Sequence, residues 1–324
     1  PQKLHTMSSF RRKNAPAAPA ASVAATQDAM GAGAPLLAAA LVKPPSMGLK
    51  PSVYNSLGLV SSGHTQLDEL LGGGLQLGTA ILVGSDVPSN FADTLLSYGL
   101  AEALSMRQPC LLLTQELRAQ QELLAALPYN RTLGQDTPGT KSHFCCSYDL
   151  SRQLQPAVLQ WDGLTCVGEG LVEQAASVAA PTAPGGALEA ALAAYAAAVA
   201  TFVAGLGPSV GRVYLHNLHE ILYANGHGLS AAAVRSIMQK FVLRLRVMIR
   251  SVRVVLVISA LPEALPGSTG VASSLSSNST DGGSTMLSPI QPLVALVDTA
   301  FTIDTFAGRS AVVPYEFKEV GQVE

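Results

Sequence analysis

The sequence predicts an α/β domain, a mostly parallel central sheet flanked by helices. Three observations predict it. Short apolar runs recur at 79-TAILVG-84, 109-PCLLLT-114, 212-RVYLHNL-218 and 252-VRVVLVISA-260, each the length of a buried strand. Helical periods separate some of them, over 91–106 and about 230–251. Strands alternating with helices imply a parallel sheet, because the crossover between parallel neighbours is helical. Finally, 48% of the 324 residues are hydrophobic and only 13% are charged, enough apolar side chain for a sizeable core.

In chain order, residues 1–47 are rich in Ala, Pro and Gly, almost free of acid and without hydrophobic period. They are expected to form a disordered basic arm. The FRRK at 10–13 also fits an organellar transit peptide, and Met7 reads as the true start. One domain is expected over 48–324. Leu67, Leu70 and Leu71 follow helical spacing, with Thr65 and Gln66 at the start and Gly72–Gly74 as the stop. The strand 79–84 runs through a short turn into a helix from Phe91, and the strand 109–114 is closed by Gln115 and Glu116.

The stretch 127–210 is broken by Pro, Gly and Ser, with Trp161 as a local anchor and an irregular alanine-rich insertion at about 170–210. Inside it, 187-ALEAALAAYAAAVATFVAGL-206 is long enough to cross a bilayer. Alanine is nearly neutral toward lipid and Glu189 interrupts the run, so it reads as a soluble, alanine-rich helix. Residues 267–288 form a low-complexity loop that cannot pack a core, and 294–306 reads as a final strand or pair at the sheet edge.

Charge narrows the function. Residues 1–50 hold six Lys/Arg against Asp28, and the other 274 hold 14 positive and 21 negative side chains, so the body carries −7. Such a body does not attract nucleic acid or acidic membrane as a whole; any such contact must be local. Cys110, Cys145, Cys146 and Cys166 match neither a disulfide framework nor a CxxC metal knuckle, which points to free thiols in a reducing compartment.

The segment 62-SGHTQLDELLGGGLQLGT-79, followed by strand, glycine turn and helix, resembles the entry to RecA/KaiC-type ATPase domains. More closely, KPSVYNSLGLVSSGHTQLDELLGGGLQLGT at 50–79, FCCSYDLSRQL at 144–154, VYLHNL at 213–218 and ALVDTAFTIDTFAG at 295–308 resemble the Elongator complex protein 4 family, in the family's order. The resemblance implies a RecA-like, P-loop NTPase-type fold. It implies two paralogous RecA-like Elongator subunits as partners in a six-membered ring, an accessory module of the catalytic Elongator core that modifies wobble uridines of tRNA. It further implies tRNA binding that responds to ATP, with ATP held at subunit interfaces if at all, no membrane, and a cytoplasmic address with the nucleus as a second one.

Within that frame the phosphate loop is degenerate. Aligned on GxxxxGK[ST], Gly84 takes the first position and Ser89, Asn90 and Phe91 the last three. A working loop places a lysine on the β/γ oxygens and a hydroxyl on Mg²⁺. Here the ammonium is missing, Phe91 cannot ligate a metal, and no lysine lies between Lys50 and Lys141. After Leu215, where such folds carry a Mg-orienting Asp, come His216 and Asn217. Glu116 lies where RecA-like ATPases place the glutamate that polarises water; without the clamp it reads rather as a solvated carboxylate at a strand end. His216 and His219 invite a metal, but no third ligand is spaced nearby and a strand would turn them to opposite faces, so buried or hydrogen-bonded histidines are expected. His143 beside Cys145 and Cys146 is an equally weak metal signal.

Between Leu229 and Pro262 there are six basic residues and no acid: Arg235, Lys240, Arg244, Arg246, Arg250 and Arg253. On a helix, Val234, Ile237, Met238, Phe241, Val242, Leu245, Met248 and Ile249 gather on one arc and the bases opposite, interrupted by Leu243 and Val247. Three readings fit that face: solvated charge, a phosphate contact, or a subunit interface. The leading function is a non-catalytic or weakly catalytic ring subunit that helps present tRNA. The rivals are an active RecA/KaiC-type ATPase and a recombinase-like single-strand binder, the latter disfavoured by the −7 body and 5% aromatic content.

Overall fold

The structure is a computed structural model that describes residues 48–55, 57–85, 91–131, 144–154, 163–168, 185–226, 228–260 and 291–303. The arm 1–47, His143, Trp161 and the loop 267–288 lie outside the described residues, as do Ser89 and Asn90 of the glycine turn.

In chain order the elements are β1 (Leu49–Pro51), β2 (Gly58–Val60), α1 (Thr65–Leu70), β3 (Leu75–Gln76), β4 (Ala80–Ser85), α2 (Phe91–Ser105), β5 (Cys110–Leu113), α3 (Leu117–Ala125), β6 (Pro128–Asn130), β7 (Tyr148–Gln153) and β8 (Leu164–Val167). Then follow α4 (Gly186–Gly205), β9 (Gly211–Leu215), α5 (Leu218–Asn225), α6 (Ala231–Ile249), β10 (Val254–Ala260), α7 (Gln291–Val294) and β11 (Thr299–Ile303). Six strands form one all-parallel sheet in the order β11-β4-β10-β9-β5-β8, flanked by helices, an arrangement consistent with a RecA-like P-loop fold. Among the described residues β11 is the last strand and lies at the sheet edge. A small antiparallel sheet β1-β2-β3 and the antiparallel pair β6-β7 complete the architecture among the described residues.

The short apolar runs make buried strands because both faces of the sheet are covered. Leu82, Leu111, Leu113, Val213, Leu215, Leu256 and Ile258 point to one side, where α4, α5 and α6 pack. Ile81, Val83, Leu112, Tyr214, Val255 and Val257 point to the other, against α2 and Leu123 of α3. Alternation along each strand thus feeds two cores, and each buried Leu or Val side chain contributes roughly 1.5–3 kcal/mol.

The entry segment is locked by backbone geometry. Its glycine triplet has φ of +76°, +116° and +130°, and a Cβ on Gly74 would meet the Val60 carbonyl at 2.7 Å. Gly63 is similarly forced, since a Cβ there would lie 2.4 Å from the Tyr98 carbonyl of α2. Just beyond, His64 caps α1, its Nδ1 accepting the Leu67 N–H, and the buried Asp68 carboxylate accepts from the Ser61 hydroxyl at 2.6 Å and the Ser62 N–H at 2.7 Å.

The alanine-rich insertion at about 170–210 holds the regular helix α4 over its second half, where the helix at 187–206 is expected. Leu188, Ala191, Leu192, Tyr195, Ala196 and Val199 are buried on one side, at helical spacing. Alanine's helix propensity and small volume outweigh the breakers around it and let α4 lie close to the sheet. By length and composition alone α4 could cross a membrane; in this fold its apolar face is taken up by the core.

Candidate functional site: a cleft at the carboxyl ends of the strands

Parallel strands end together, and the crevice outside their carboxyl ends is where open α/β sheets bind ligands. A cavity of about 620 Å³ lies there. It is lined by Asp93, Thr94 and Ser97 of α2, by Glu116 after β5, by Arg118, Glu122 and Leu123 of α3, by Leu150 of β7, and by His216, Asn217 and Glu220 beyond β9. The sheet therefore brings Glu116 and His216, far apart in sequence, into one cleft. Gly84, next to the last residue of β4, is in register with Ala260 on one side and Thr302 on the other, and Phe91 opens α2 with its side chain half exposed.

The chain turns sharply after β9. Asn217 takes the left-handed conformation (φ 50°, ψ 58°), which is open to asparagine at little cost. The strand consequently ends at Leu215, and His219 falls in the first turn of α5. The expected strand alternation of His216 and His219 is corrected on this point: the two are close enough for their charges to interact. Both are buried, as expected of hydrogen-bonded or packed histidines. Among the described residues no group of three His, Cys, Asp or Glu side chains is placed to hold a metal ion.

At the start of α2, where a phosphate loop would deliver its anion, the protein supplies its own. Asp93 stands in the first turn of α2, and the His216 Nε2–H donates to its Oδ1 at 2.9 Å. A carboxylate there takes the favourable end of the helix dipole that would otherwise attract phosphate. The imidazole directly after β9 satisfies that carboxylate where a Mg-orienting Asp would be needed. Nearby, Asn217 Nδ2 donates to Glu220 Oε1 at 2.9 Å, and burial raises the Glu220 carboxyl above its usual range. Burial, helped by the nearby His216 charge, lowers His219 to about 4, so its imidazole is neutral at pH 7.

The described lining carries more acid than base. Asp93, Glu116, Glu122 and Glu220 face the cleft, against one arginine, Arg118, which is paired to Glu122 at 2.8 Å. One unit of phosphate charge about 4 Å from a carboxylate meets a repulsion of about 4 kcal/mol at an effective dielectric of 20. Among the described residues the lining of the cleft is thus net acidic.

The six basic residues of the sequence analysis do not act as one face. Arg246 pairs with Asp298 and also donates to the Leu296 carbonyl, and Arg250 lies 3.6 Å from the same Asp298. Asp298 in turn accepts the Ala80 N–H at 3.0 Å, joining α6 to the first residue of β4. Arg253 lies beyond the end of α6 and donates to the Pro208 carbonyl. Arg235, Lys240 and Arg244 are exposed on α6. All eight apolar residues expected on the inward arc are buried or partly buried.

Sequence reasoning passed over Asp93 and Glu220. Asp93 carried a readable signal, an acid two residues past the degenerate loop and inside the first helical turn; Glu220 carried none. Arg212 carries no signal in its strand pattern either, yet it is wholly buried and donates to Gln108 Oε1 at 2.8 Å and the Ser61 carbonyl at 2.7 Å.

Residues 42–137, which carry the entry segment, β4 and α2, match the family model described as PAXNEB protein. The chain is 41% identical over 83 residues to Elongator complex protein 4 of Xenopus laevis, 25% of this chain and 20% of that one. It is 47% identical over 57 residues to the Danio rerio protein of the same name, 18% of this chain and 14% of that one. The Homo sapiens protein of that name is 46% identical over 57 residues, 18% of this chain and 13% of that one. These matches support the Elongator complex protein 4 family. The matched stretch spans a fifth or less of the relatives' own length. The family-model match at 42–137 includes the degenerate loop, so the lost lysine falls inside the region that carries that likeness.

Proposed function

We propose that this chain is a subunit of the Elongator complex that does not hydrolyse ATP efficiently by itself. In this reading it joins two paralogous RecA-like subunits in a six-membered accessory ring that handles tRNA for wobble-uridine modification by the catalytic core. The likeness to Elongator complex protein 4 supports membership. The observation that carries the non-catalytic part is the Asp93–His216 pair: a protein carboxylate and imidazole occupy the ground that a nucleotide phosphate and its metal-orienting acid would need. Such a cleft is a retained shape with an inverted charge.

The test is to purify the chain alone and with the two paralogues, then measure size, ATP turnover and tRNA binding. A ring that holds tRNA, with no turnover by the lone chain, is expected. Turnover by the lone chain at an ordinary ATPase rate overturns the reading in favour of an active enzyme. The absence of any assembly with the paralogues overturns the subunit assignment.

A further inference from the structure

We propose that the outward face of α6, with the groove it forms against α4, is a docking seat for an acidic protein surface bearing an apolar anchor. This deepens the subunit reading by naming the chemistry of a partner.

The outward face of α6 has the anatomy of a protein interface. Its centre is apolar: Leu243 is 43% exposed and Val247 74% exposed, one helical turn apart. Basic residues ring that pair, with Lys240 and Arg244 to one side and Arg246 and Arg250 to the other. The Asp298 carboxylate already holds Arg246 in place, so that residue costs less entropy on binding, and Arg250 lies 3.6 Å from the same carboxylate. Beside Lys240 and Arg244 a groove of about 170 Å³ is floored by Leu192, Ile237 and Phe241. That volume suits one large apolar side chain, since a cavity of about 150 Å³ takes a benzene ring. Glu189 lines the groove opposite the two bases, leaving its rim at net +1. An apolar centre with an arginine-rich rim is how protein interfaces are built.

The same features argue against RNA. A phosphate backbone is drawn by free cations and gains nothing from valine or leucine, yet here the apolar pair holds the middle of the face. Arg246 and Arg250 share Asp298, so the charge offered to a partner rests on Lys240 and Arg244, which line the apolar groove. Charge complementarity therefore selects a partner with carboxylates around an apolar side chain.

The experiment uses the full chain and three probes: a helix-forming peptide with a central Leu flanked by Glu, the same peptide with Lys for Glu, and an unmodified tRNA transcript. The Glu peptide is expected to bind, and to weaken with added salt, whereas the Lys peptide should not. Lys240→Glu with Arg244→Glu, and separately Val247→Asp, should each lower Glu-peptide affinity by about tenfold, the effect of losing an interface hot spot. All three positions are exposed, so the unfolding midpoint should hold and a loss of binding cannot be ascribed to misfolding. Affinity unchanged in both variants, or no binding of the Glu peptide by the parent chain, overturns the proposal. A tRNA affinity that falls in Lys240→Glu with Arg244→Glu, without peptide binding, overturns it in favour of a phosphate contact. Repeating the variants in the reconstituted ring separates the two readings. Failure of the parent chain to assemble sinks the subunit assignment and leaves the peptide result standing. Normal assembly of both variants, with no peptide binding by the parent chain, sinks only the docking seat.

Discussion

The two faces of the sheet are buried by opposite means. Against α4, α5 and α6 the contacts are almost wholly aliphatic, Leu82, Leu113, Leu215 and Ile258 meeting Leu192, Val242 and Leu245. Against α2 the sheet buries a guanidinium and a carboxylate, Arg212 and Glu102, each with no exposed surface. Glu102 Oε2 accepts from the Tyr148 hydroxyl at 2.6 Å and the Cys146 N–H at 3.1 Å. Burial raises the Glu102 carboxyl above its usual range, and the Arg212 charge opposes the rise. The difference teaches where each face gets its specificity. An aliphatic core is held by volume and tolerates change in proportion to the cavity left. A core with buried charge is held by mutual satisfaction, so removing one member exposes the others to their full desolvation penalty.

The sharpest way to break this comparison is Arg212→Ala. It strips donors from Gln108, from the Ser61 carbonyl that steers the entry segment, and leaves Glu102 buried without its counter-charge. A loss of about 3–5 kcal/mol is expected in denaturant unfolding, the usual cost of breaking a buried charge network from one side. Arg212→Met combined with Glu102→Leu should recover much of it. If the single and double variants are equally unstable, volume and not charge holds that face.

The second test uses pH at His219, whose imidazole burial holds at about 4. The folded-state value lies below the ordinary one, so the unfolded chain binds the extra proton first. Stability from this group is whole above the ordinary value near 6.5 and is lost as pH falls through about 4. Up to roughly 3 kcal/mol should disappear over that window. The raised Glu220 carboxyl tilts the other way, its contribution present at low pH and lost as pH rises through its folded-state value. A His219→Gln variant should flatten the acid limb of a stability-versus-pH curve, and Glu220→Gln should steepen it. An acid limb unchanged by His219→Gln refutes the assignment.

What the sequence made legible follows the same division. The strands and α6 were readable because an aliphatic run or a 3.6-residue stripe is its own evidence for burial. All eight apolar positions expected on α6's inner arc do face inward. The polar core was not readable, since Arg212 sits in a strand pattern and nothing local says that Glu102, 110 residues earlier, lies near it. At the cleft, Gly84, Phe91, Glu116 and His216 could be named from spacing against a known loop, and the sheet does bring Glu116 and His216 together. The Asp93–His216 hydrogen bond could not, because it joins residues 123 apart through the tertiary fold. The turn at Asn217 escaped for a different reason: a left-handed residue after a strand ends the alternation that the sequence seemed to continue.

The smallest expected effect tests the aliphatic face on its own terms. Tyr195 of α4 is fully buried there, and its hydroxyl donates to the Thr114 carbonyl at 2.9 Å, just past the end of β5. Tyr195→Phe keeps the ring and removes only the hydroxyl, which also lies 3.3 Å from Gln115 Oε1. If shape dominates this face, the cost should be about 1 kcal/mol, that of one net hydrogen bond, with no change in the pH profile. Tyr195→Ala should cost about 3–5 kcal/mol, because a ring-sized void then opens between α4 and the sheet. A Phe variant as unstable as the Ala variant would mean that the single hydroxyl anchors α4, and that the two faces of the sheet are held by the same kind of polar constraint after all.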